Sequence, residues 1–438
     1  MKINDGLPDA ERVTVVGAGV TGRAVVEYLD RTEVSLFVTD QGEINRETRD
    51  YFLKGGIDFE EGGHTDRALD SDCLIVSPGV PPESELMRKA RARGLRIMGE
   101  IELGCRLSPS KTTVAVTGTN GKTTTVELIE TLLNLSGRRA LGCGNTGDPF
   151  IGAIPDLSPS TIPVVEVSSY QLQYTSDFSP DVAVLLNIEP DHLKRHGTFN
   201  NYREAKLNLF RNQGARDYAV VKEGLHVENL PGGATVRKFE RKALQGIELP
   251  PHQEENLGAA ITAAECVVGD DLPSAINPEK ITETIDIPHR LETISVIGGK
   301  EVINDSKATN PSATIAALDS FTRPIHLLLG GKKKNAGYDA LAKKMSGAPV
   351  EKAYLFGDAR TGLGEILSEH GYETFTSYPS MEKAVVEALG NSRKGEVVLF
   401  SPACSSFDQF SSFRERGTEF TRIVKEANDN GKTNPQNL

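Results

Sequence analysis

Cysteine is scarce and scattered in this sequence. The 438 residues contain five, Cys73, Cys105, Cys143, Cys266 and Cys404, odd in number, far apart and without a C-x-x-C pair. That pattern excludes a disulfide framework and a thiolate zinc site, and it fits a reducing cytoplasm. Positive charge is also in deficit: 49 Lys and Arg stand against 61 Asp and Glu, a net charge of −12. A general nucleic-acid or anionic-membrane binder needs the opposite surplus, although a local basic pocket for phosphates stays open. No stretch approaches the ~20 apolar residues of a membrane span. The start, MKINDGLPDAERVTVVGAG, lacks the apolar run of a signal peptide. No membrane insertion, no nucleic-acid partner and a cytoplasmic location are therefore expected.

What is present is ordinary globular composition, 38% hydrophobic and 25% charged, over a length that suggests about three domains. No long internal repeat or low-complexity linker interrupts it. The first segment carries a β-branched run, Val13 to Val16, then Gly17-Ala18-Gly19-Val20-Thr21-Gly22 and a helix-like stretch. This is the G-x-G-x-x-G form of a dinucleotide-fold turn, or simply a tight turn packing a helix on a sheet. A second strand ends at Asp40 and a third in Ser77-Pro78-Gly79. The second segment holds VAVTGTNGKTTTVELIETLL, TIPVVEVSSYQL and PDVAVLLNIEPDHL, each an apolar strand ending in polar residues. Ligands of open α/β sheets lie beyond the carboxyl ends of the strands. Thr117 to Thr123, Glu166 to Ser169 and Asn187 to His192 are thus expected to share a cleft. The third segment again alternates strands and helices. The expected fold is α/β, with three consecutive α/β domains: Rossmann-like 1–104, P-loop ATPase-like 105–287 and Rossmann-like 288–438.

The glycine loop fails the strict Walker A pattern, because Val116 stands where its first glycine belongs and Gly118 comes two places later. The physics survives: backbone N–H groups and the helix start can surround phosphate oxygens, with Lys122 neutralising them and the Thr123 hydroxyl facing Mg²⁺. Glu166, at a strand end, is a candidate Mg²⁺ ligand or an ordinary strand-end acid. Asp191-His192 at another strand end reads as a site pair. Lys206, in an amphipathic helix, reads from periodicity as a solvated lysine. Asp305-Ser306-Lys307-Ala308-Thr309-Asn310 packs a cation, a carboxylate and hydroxyls into one turn, which either holds a ligand or caps the next helix. Asn310 before Pro311 looks like an N-cap.

Together these blocks resemble the Mur ligase family. TGTNGKTTT is the shortened loop shared by Mur ligases and folylpolyglutamate synthetases. EVSSYQL, NDSKATNP and FSPACSSFDQF, with Phe400 in place of a leucine, are similar to those of the member that joins D-glutamate to UDP-N-acetylmuramoyl-L-alanine. The resemblance runs from Gly17 to Gly417. It implies a cytoplasmic, monomeric ligase of peptidoglycan synthesis. ATP would activate the acceptor carboxylate as an acyl phosphate, an amine would attack it, and an amide, ADP and phosphate would result.

The resemblance also implies roles. Lys122, Glu166, His192 and Lys206 would be the catalytic set. Gly118, Thr119, Asn120, Gly121, Lys122, Thr123 and Thr124 would hold ATP phosphates. Asn256, Arg290, Asp305 and Lys307 would surround its adenine, ribose and phosphates. Two Mg²⁺ ions are implied, with Thr123, Glu166, His192 and a carbamylated Lys206 as ligands. Val20, Thr21, Asp40, Ser77, Pro78 and Gly79 would hold the UDP end of the acceptor, with Asn145 and His192 also on it. The dinucleotide-like turn would then bind uridine diphosphate and not NAD. Lys307, Thr309, Lys334, Ser406, Phe407 and Phe413 would form the D-glutamate pocket.

Four departures stand out: Lys194 reverses a charge in D-H-x-D-R, Gln253 replaces an Asn in H-N-x-x-N, GCGNTG replaces G-G-N-I-G, and Lys332-Lys333-Lys334 replaces D-G-K. The alternatives are a Mur-type ligase with another amino acid, such as L-glutamate, or another acceptor; a nucleotide-binding protein without turnover; and a nicotinamide oxidoreductase. The last leaves the second and third segments unexplained.

Overall fold

The computed structural model describes residues 10–146, 148–225, 230–244, 249–269, 272, 276–285, 289–333 and 338–432, with the backbone alone at 429–432. Three sheets follow one another along the chain. The N-terminal sheet comprises β1 (Arg12–Val16), β2 (Ser35–Thr39), β3 (Asp58–Glu60), β4 (Cys73–Val76) and β5 (Arg96–Gly99). Its order is β3-β2-β1-β4-β5, all parallel. The apolar runs of β1 and β4 are buried almost throughout, as strands covered on both faces require. Strand order reverses at β1, where the glycine turn enters the helix Val20–Leu29. A Cβ on Gly22 would lie 1.7 Å from the Gly17 carbonyl oxygen. That glycine is therefore demanded by close packing of helix on strand.

The central sheet comprises β6 (Val114–Thr117), β7 (Ala140–Gly144), β8 (Ile162–Glu166), β9 (Val182–Leu185), β10 (Tyr218–Lys222) and β11 (Thr235–Phe239). Its order is β11-β10-β9-β6-β8-β7, again all parallel. The C-terminal sheet comprises β12 (Glu292–Ile297), β13 (Lys300–Asn304), β14 (Ile325–Gly330), β15 (Val350–Phe356), β16 (Phe375–Ser377) and β17 (Val397–Ala403), in the order β12-β13-β17-β14-β15-β16. Only β12 runs antiparallel. It is joined to β13 through Gly298 and Gly299, both left-handed at φ 57° and 78°. A two-residue hairpin of type I′ needs that conformation at both positions.

The chain forms two compact units. The first contains Met1–Ile188, Asn200–Lys242 and Glu255–Asn277; the second contains Glu189–Phe199, Ala243–Glu254 and Pro278–Leu438. The first two sheets belong to the one and the third sheet to the other. Among the described residues, no helix is long and apolar enough to cross a membrane.

Two buried acids in the helix Glu100–Leu107 tie the first unit together. Glu102 is 1% exposed and accepts N–H bonds from Ser176 (2.9 Å), Asp177 (3.1 Å) and Phe178 (3.0 Å), and from Arg106 Nε (2.9 Å). Glu100 accepts from Ile151 N–H at 2.7 Å. Burial, opposed by the Ile151 and Phe150 N–H groups, pushes its carboxyl up to about 7. Glu102→Ala strands three backbone donors, and urea unfolding should show a loss of about 2–4 kcal/mol. Glu100 keeps a proton in the native state that the unfolded chain releases from about pH 4.5 upward. Its contribution therefore falls as pH rises from that range to about 7. Glu100→Gln should flatten this fall, read as a smaller difference between urea midpoints at pH 5 and pH 8.

Candidate active site

The glycine loop follows β6 and feeds the helix Lys122–Leu135. Gly121 caps that helix at φ +87°, and a Cβ there would meet Asn256 Oδ1 at 2.3 Å. The turn thus needs glycine for both its backbone and its neighbour. Asn187, two residues beyond β9, holds the loop in shape. Its Oδ1 accepts from Thr119 N–H (3.0 Å) and Asn120 N–H (2.9 Å), and its Nδ2 donates to the Asn120 carbonyl (3.1 Å). The Thr119 hydroxyl lies 2.9 Å from the Tyr202 hydroxyl.

Two lysines converge on this loop. Lys122 Nζ donates to the carbonyls of Gly118 (2.9 Å) and Thr119 (3.1 Å). Lys206 Nζ donates to the same Gly118 carbonyl at 2.7 Å and lies 4.8 Å from the Tyr202 ring centroid. Lys206 is 2% exposed, which corrects its reading as a solvated lysine. The helix Phe199–Leu207 turns Tyr202 and Lys206 inward together, four residues apart on one face. Two ammonium groups on one carbonyl make a focus of positive potential suited to phosphate oxygens.

Glu166 closes β8, in register with Val116 of β6. It is 2% exposed. Its Oε1 accepts from Asn145 Nδ2 (2.8 Å) and the Thr146 hydroxyl (2.9 Å). Its Oε2 is buried with no hydrogen-bond partner among the described residues. A buried carboxylate oxygen in that state is the donor a divalent cation would satisfy. Among the described residues no group of three His, Cys, Asp or Glu forms a ready-made metal cage. Mg²⁺ sites of one or two protein donors completed by phosphate and water do not need one.

At the carboxyl end of the N-terminal sheet lies a cavity of about 900 Å³. Val20, Thr21, Asp40, Ser77, Pro78, Gly79 and Asn145 all line it. Asn145 thus touches both this cavity and Glu166. Both Asp40 oxygens are engaged by backbone, Oδ2 with Ala18 N–H (2.6 Å) and Oδ1 with Gly42 N–H (2.8 Å). In this structure Asp40 braces the glycine turn.

The second unit brings together the remaining candidates. His192 is left-handed at φ 55°, and its N–H donates to Asp191 Oδ1 at 2.7 Å. Asn310, the N-cap expected from the sequence, accepts from Ala313 N–H at 2.9 Å and donates to Asp191 Oδ2 at 3.4 Å. Asp305 is buried, bonded to the Ser401 hydroxyl (2.7 Å) and Leu291 N–H (3.3 Å). Burial pushes its carboxyl up to about 7, against the Ser401 hydrogen bond and the charge of Arg290. His289, Leu291 and Ala403 are also left-handed, so unfavourable backbone is concentrated around this turn. Lys307 N–H donates to the His289 carbonyl at 3.0 Å. Lys332 and Ser405 exchange backbone hydrogen bonds of 2.8 and 3.2 Å, joining the lysine loop to the segment before Ser406. Ser406 is buried and Phe407 is 67% exposed. Lys334 lies outside the described residues.

Arg416 organises this region and carried no signal in the sequence. It is fully buried. Its guanidinium donates to the Ser306 hydroxyl (3.0 Å), the Ser306 carbonyl (2.7 Å) and the Cys404 carbonyl (2.9 Å). Burial lowers its pKa to about 10, which leaves it charged at neutral pH. The Ser306 hydroxyl in turn donates to the Phe413 carbonyl at 2.8 Å. Tyr202 and Arg416 were missing from the candidates read from sequence, and Asn187 entered there only as the first residue of a strand end expected in the cleft, with no role assigned. Of the two missing residues, Tyr202 left a trace, in its four-residue spacing from Lys206.

The ATP candidates divide between the units. The glycine loop and Asn256 belong to the first, and Arg290, Asp305 and Lys307 to the second. His192 likewise belongs to the second unit, and Glu166 and Lys206 to the first.

Three family models match in chain order: the MurD N-terminal domain over residues 12–86, the Mur ligase middle domain over 116–240, and the Mur ligase, glutamate ligase domain over 289–404. Solved structures share the fold. The MurF ligase of Thermotoga maritima in complex with ADP matches with a TM-score of 0.58 at 19% identity, over 90% of this chain and 95% of that one. The UDP-N-acetylmuramate-alanine ligase MurC of the same organism matches at 0.56 and 18%, over 95% and 100%. The UDP-N-acetylmuramoylalanine--D-glutamate ligase of Pelotomaculum thermopropionicum is 36% identical over 94% of this chain and 97% of its own length. The enzyme of that name from Alkaliphilus metalliredigens is 34% identical over 94% and 98%. With relatives matched end to end and all three domains in order, the chain belongs to the Mur ligase family.

Proposed function

We propose that this chain is the ATP-dependent ligase that adds D-glutamate to UDP-N-acetylmuramoyl-L-alanine in peptidoglycan precursor synthesis, acting in the cytoplasm as a monomer. The observation that carries the reading is the buried, partnerless Oε2 of Glu166, one strand from the loop on which Lys122 and Lys206 converge. The proposed division of labour is acceptor binding by 1–104, ATP binding by 105–287 and amino-acid binding by 288–438.

A carboxylate is a poor electrophile, so the acceptor's alanyl carboxylate must first gain a leaving group. One of its oxygens takes the γ-phosphoryl group of ATP, and ADP departs. The D-glutamate amine attacks the carbonyl carbon of the acyl phosphate and gives up its proton. The tetrahedral intermediate then expels phosphate and leaves the amide. Little of this needs covalent help from the protein; it needs anions held together and water kept out.

In the proposal Lys122 exchanges the Gly118 and Thr119 carbonyls for phosphate oxygens, and Thr119 to Thr124 offer N–H groups and hydroxyls. Asn145 orients the acceptor between the cavity and Glu166. Thr123 and Glu166 would hold one Mg²⁺ and His192 a second, and a carbamylated Lys206 would be a further oxygen ligand. When bound, these ions supply charge neutralisation at the γ-phosphoryl group and the acceptor carboxylate. Carbamylation adds carbon dioxide to the Lys206 amine, turning a cation into an oxygen donor at the Gly118 carbonyl. Asn256, Arg290, Asp305 and Lys307 contact the nucleotide. Lys307, Thr309, Lys334, Ser406, Phe407 and Phe413 receive D-glutamate.

Phosphate release from ATP and UDP-N-acetylmuramoyl-L-alanine should require D-glutamate and be absent with L-glutamate. Release only with L-glutamate would move the assignment to another amino acid, with Lys332 and Lys333 beside its pocket. Lys206→Ala and Glu166→Gln should each lower kcat by roughly 10²–10³-fold, as loss of one charge-stabilising group does elsewhere. Wild-type activity should decline in carbon-dioxide-free buffer and return with bicarbonate, while Lys206→Ala should not respond. A wild-type rate indifferent to carbon dioxide would remove the carbamate from the mechanism.

A further inference from the structure

The cavity of the N-terminal sheet has a polar wall that the roles above leave unused. Thr39 ends β2 and is fully buried. Its hydroxyl oxygen lies 2.8 Å from Glu60 Oε1 and 2.7 Å from His64 Nδ1. Glu60 also accepts from Thr65 N–H (2.9 Å) and the Thr65 hydroxyl (2.6 Å). Burial opposes the Glu60 anion, but the hydrogen bonds from Thr65 and Thr39 and the charge of Arg67 prevail. The carboxyl is held below its usual range. At neutral pH Glu60 is therefore an acceptor only.

That assigns every proton in the chain. The Thr39 hydroxyl has one hydrogen. Were it turned to His64, two lone pairs would face each other across the 2.8 Å to Glu60. It points to Glu60, and the Thr39 oxygen accepts from His64. Nδ1 thus carries the ring proton. Burial lowers the His64 pKa against the opposing charges of Glu60 and Asp40, so the ring is neutral at pH 7. Nε2 is then a bare acceptor. It has no hydrogen-bond partner among the described residues, and His64 lines the cavity.

Another part of the cavity lining suits the diphosphate. Val20 and Thr21 open the helix Val20–Leu29, whose N-cap Gly19 makes no side-chain capping bond. Its first amides are left for an anion. The rim beyond β2 and β3, where His64 sits, is left for the base. On the reading that this cavity takes a uridine diphosphate sugar, we propose that His64 selects uracil, its Nε2 accepting the N3–H of the base. Uracil presents that donor between two carbonyls. Cytosine has a lone pair at the same position, which would face the lone pair of Nε2. A site built to pair with a donor rejects a ligand lacking it, because its own polar atom is left unpaired.

Titration calorimetry with UDP, N3-methyl-UDP, CDP and 2′-deoxy-UDP tests this on the full chain. Wild type should bind UDP at least about tenfold more tightly than N3-methyl-UDP or CDP, the worth of one hydrogen bond. His64→Leu should bind these three within about twofold of one another. Thr39→Val, which keeps the ring but removes its Nδ1 partner, should narrow the wild-type preference. An undiminished preference in His64→Leu overturns the proposal. So does a variant that loses only its preference over 2′-deoxy-UDP, since that places a ribose hydroxyl on Nε2. Wild type that binds none of the four overturns the cavity's assignment to UDP itself, and that outcome is distinct from binding without base discrimination.

Discussion

The first unit depends on one carbonyl oxygen. Gly118 accepts from both Lys122 and Lys206, at 2.9 and 2.7 Å. Two cations held so close, one of them out of contact with water, repel each other unless negative charge lies near. Neighbouring features answer that constraint. Asn187 holds the loop so that its geometry does not depend on the lysines. Glu166 places a buried carboxylate on the adjacent strand, with one oxygen still to be satisfied. In the proposed function a nucleotide's phosphates, a cation and a carbamate would join these groups.

The second unit solves a different problem with another buried cation. Arg416 is matched to a hydroxyl and two carbonyls, in a planar fork that lysine could not reproduce. Those bonds connect the Asp305–Asn310 turn, the Cys404 segment and, through Ser306, the Phe413 carbonyl. Backbone strain at His289, Leu291 and Ala403 is tolerated because these contacts over-determine the region. The amino-acid pocket of the proposal is therefore built on loops that are locally unfavourable and jointly pinned.

Much of this was legible in the residues. Strands such as β1, β4, β9 and β14 are buried apolar runs, and turn residues end them, whereas β3, β11 and β16 carry no such run. Glycine positions announced both ligand loops, since close approach and positive φ leave few other choices. Glu166 was legible as a strand-end acid beside a phosphate loop. Lys206 was not. Helical periodicity places a lysine on a face, but whether that face meets water depends on what packs there, and the Gly118 carbonyl is 88 positions away. The roles of Asn187, Arg416 and His64 were silent for the same reason, because each acts through partners distant in sequence or through the protonation of a neighbour.

The sequence by itself determined the α/β class, the three successive sheets, the glycine turns and the family, because these follow from local periodicity and contiguous motifs. The tertiary structure alone decided that Lys206 is buried on the Gly118 carbonyl, that Glu166 keeps an unsatisfied oxygen, and that the Glu60–Thr39 chain leaves His64 an acceptor at Nε2. Burial and proton placement arise from several side chains meeting at one point, and no stretch of neighbouring residues encodes that meeting.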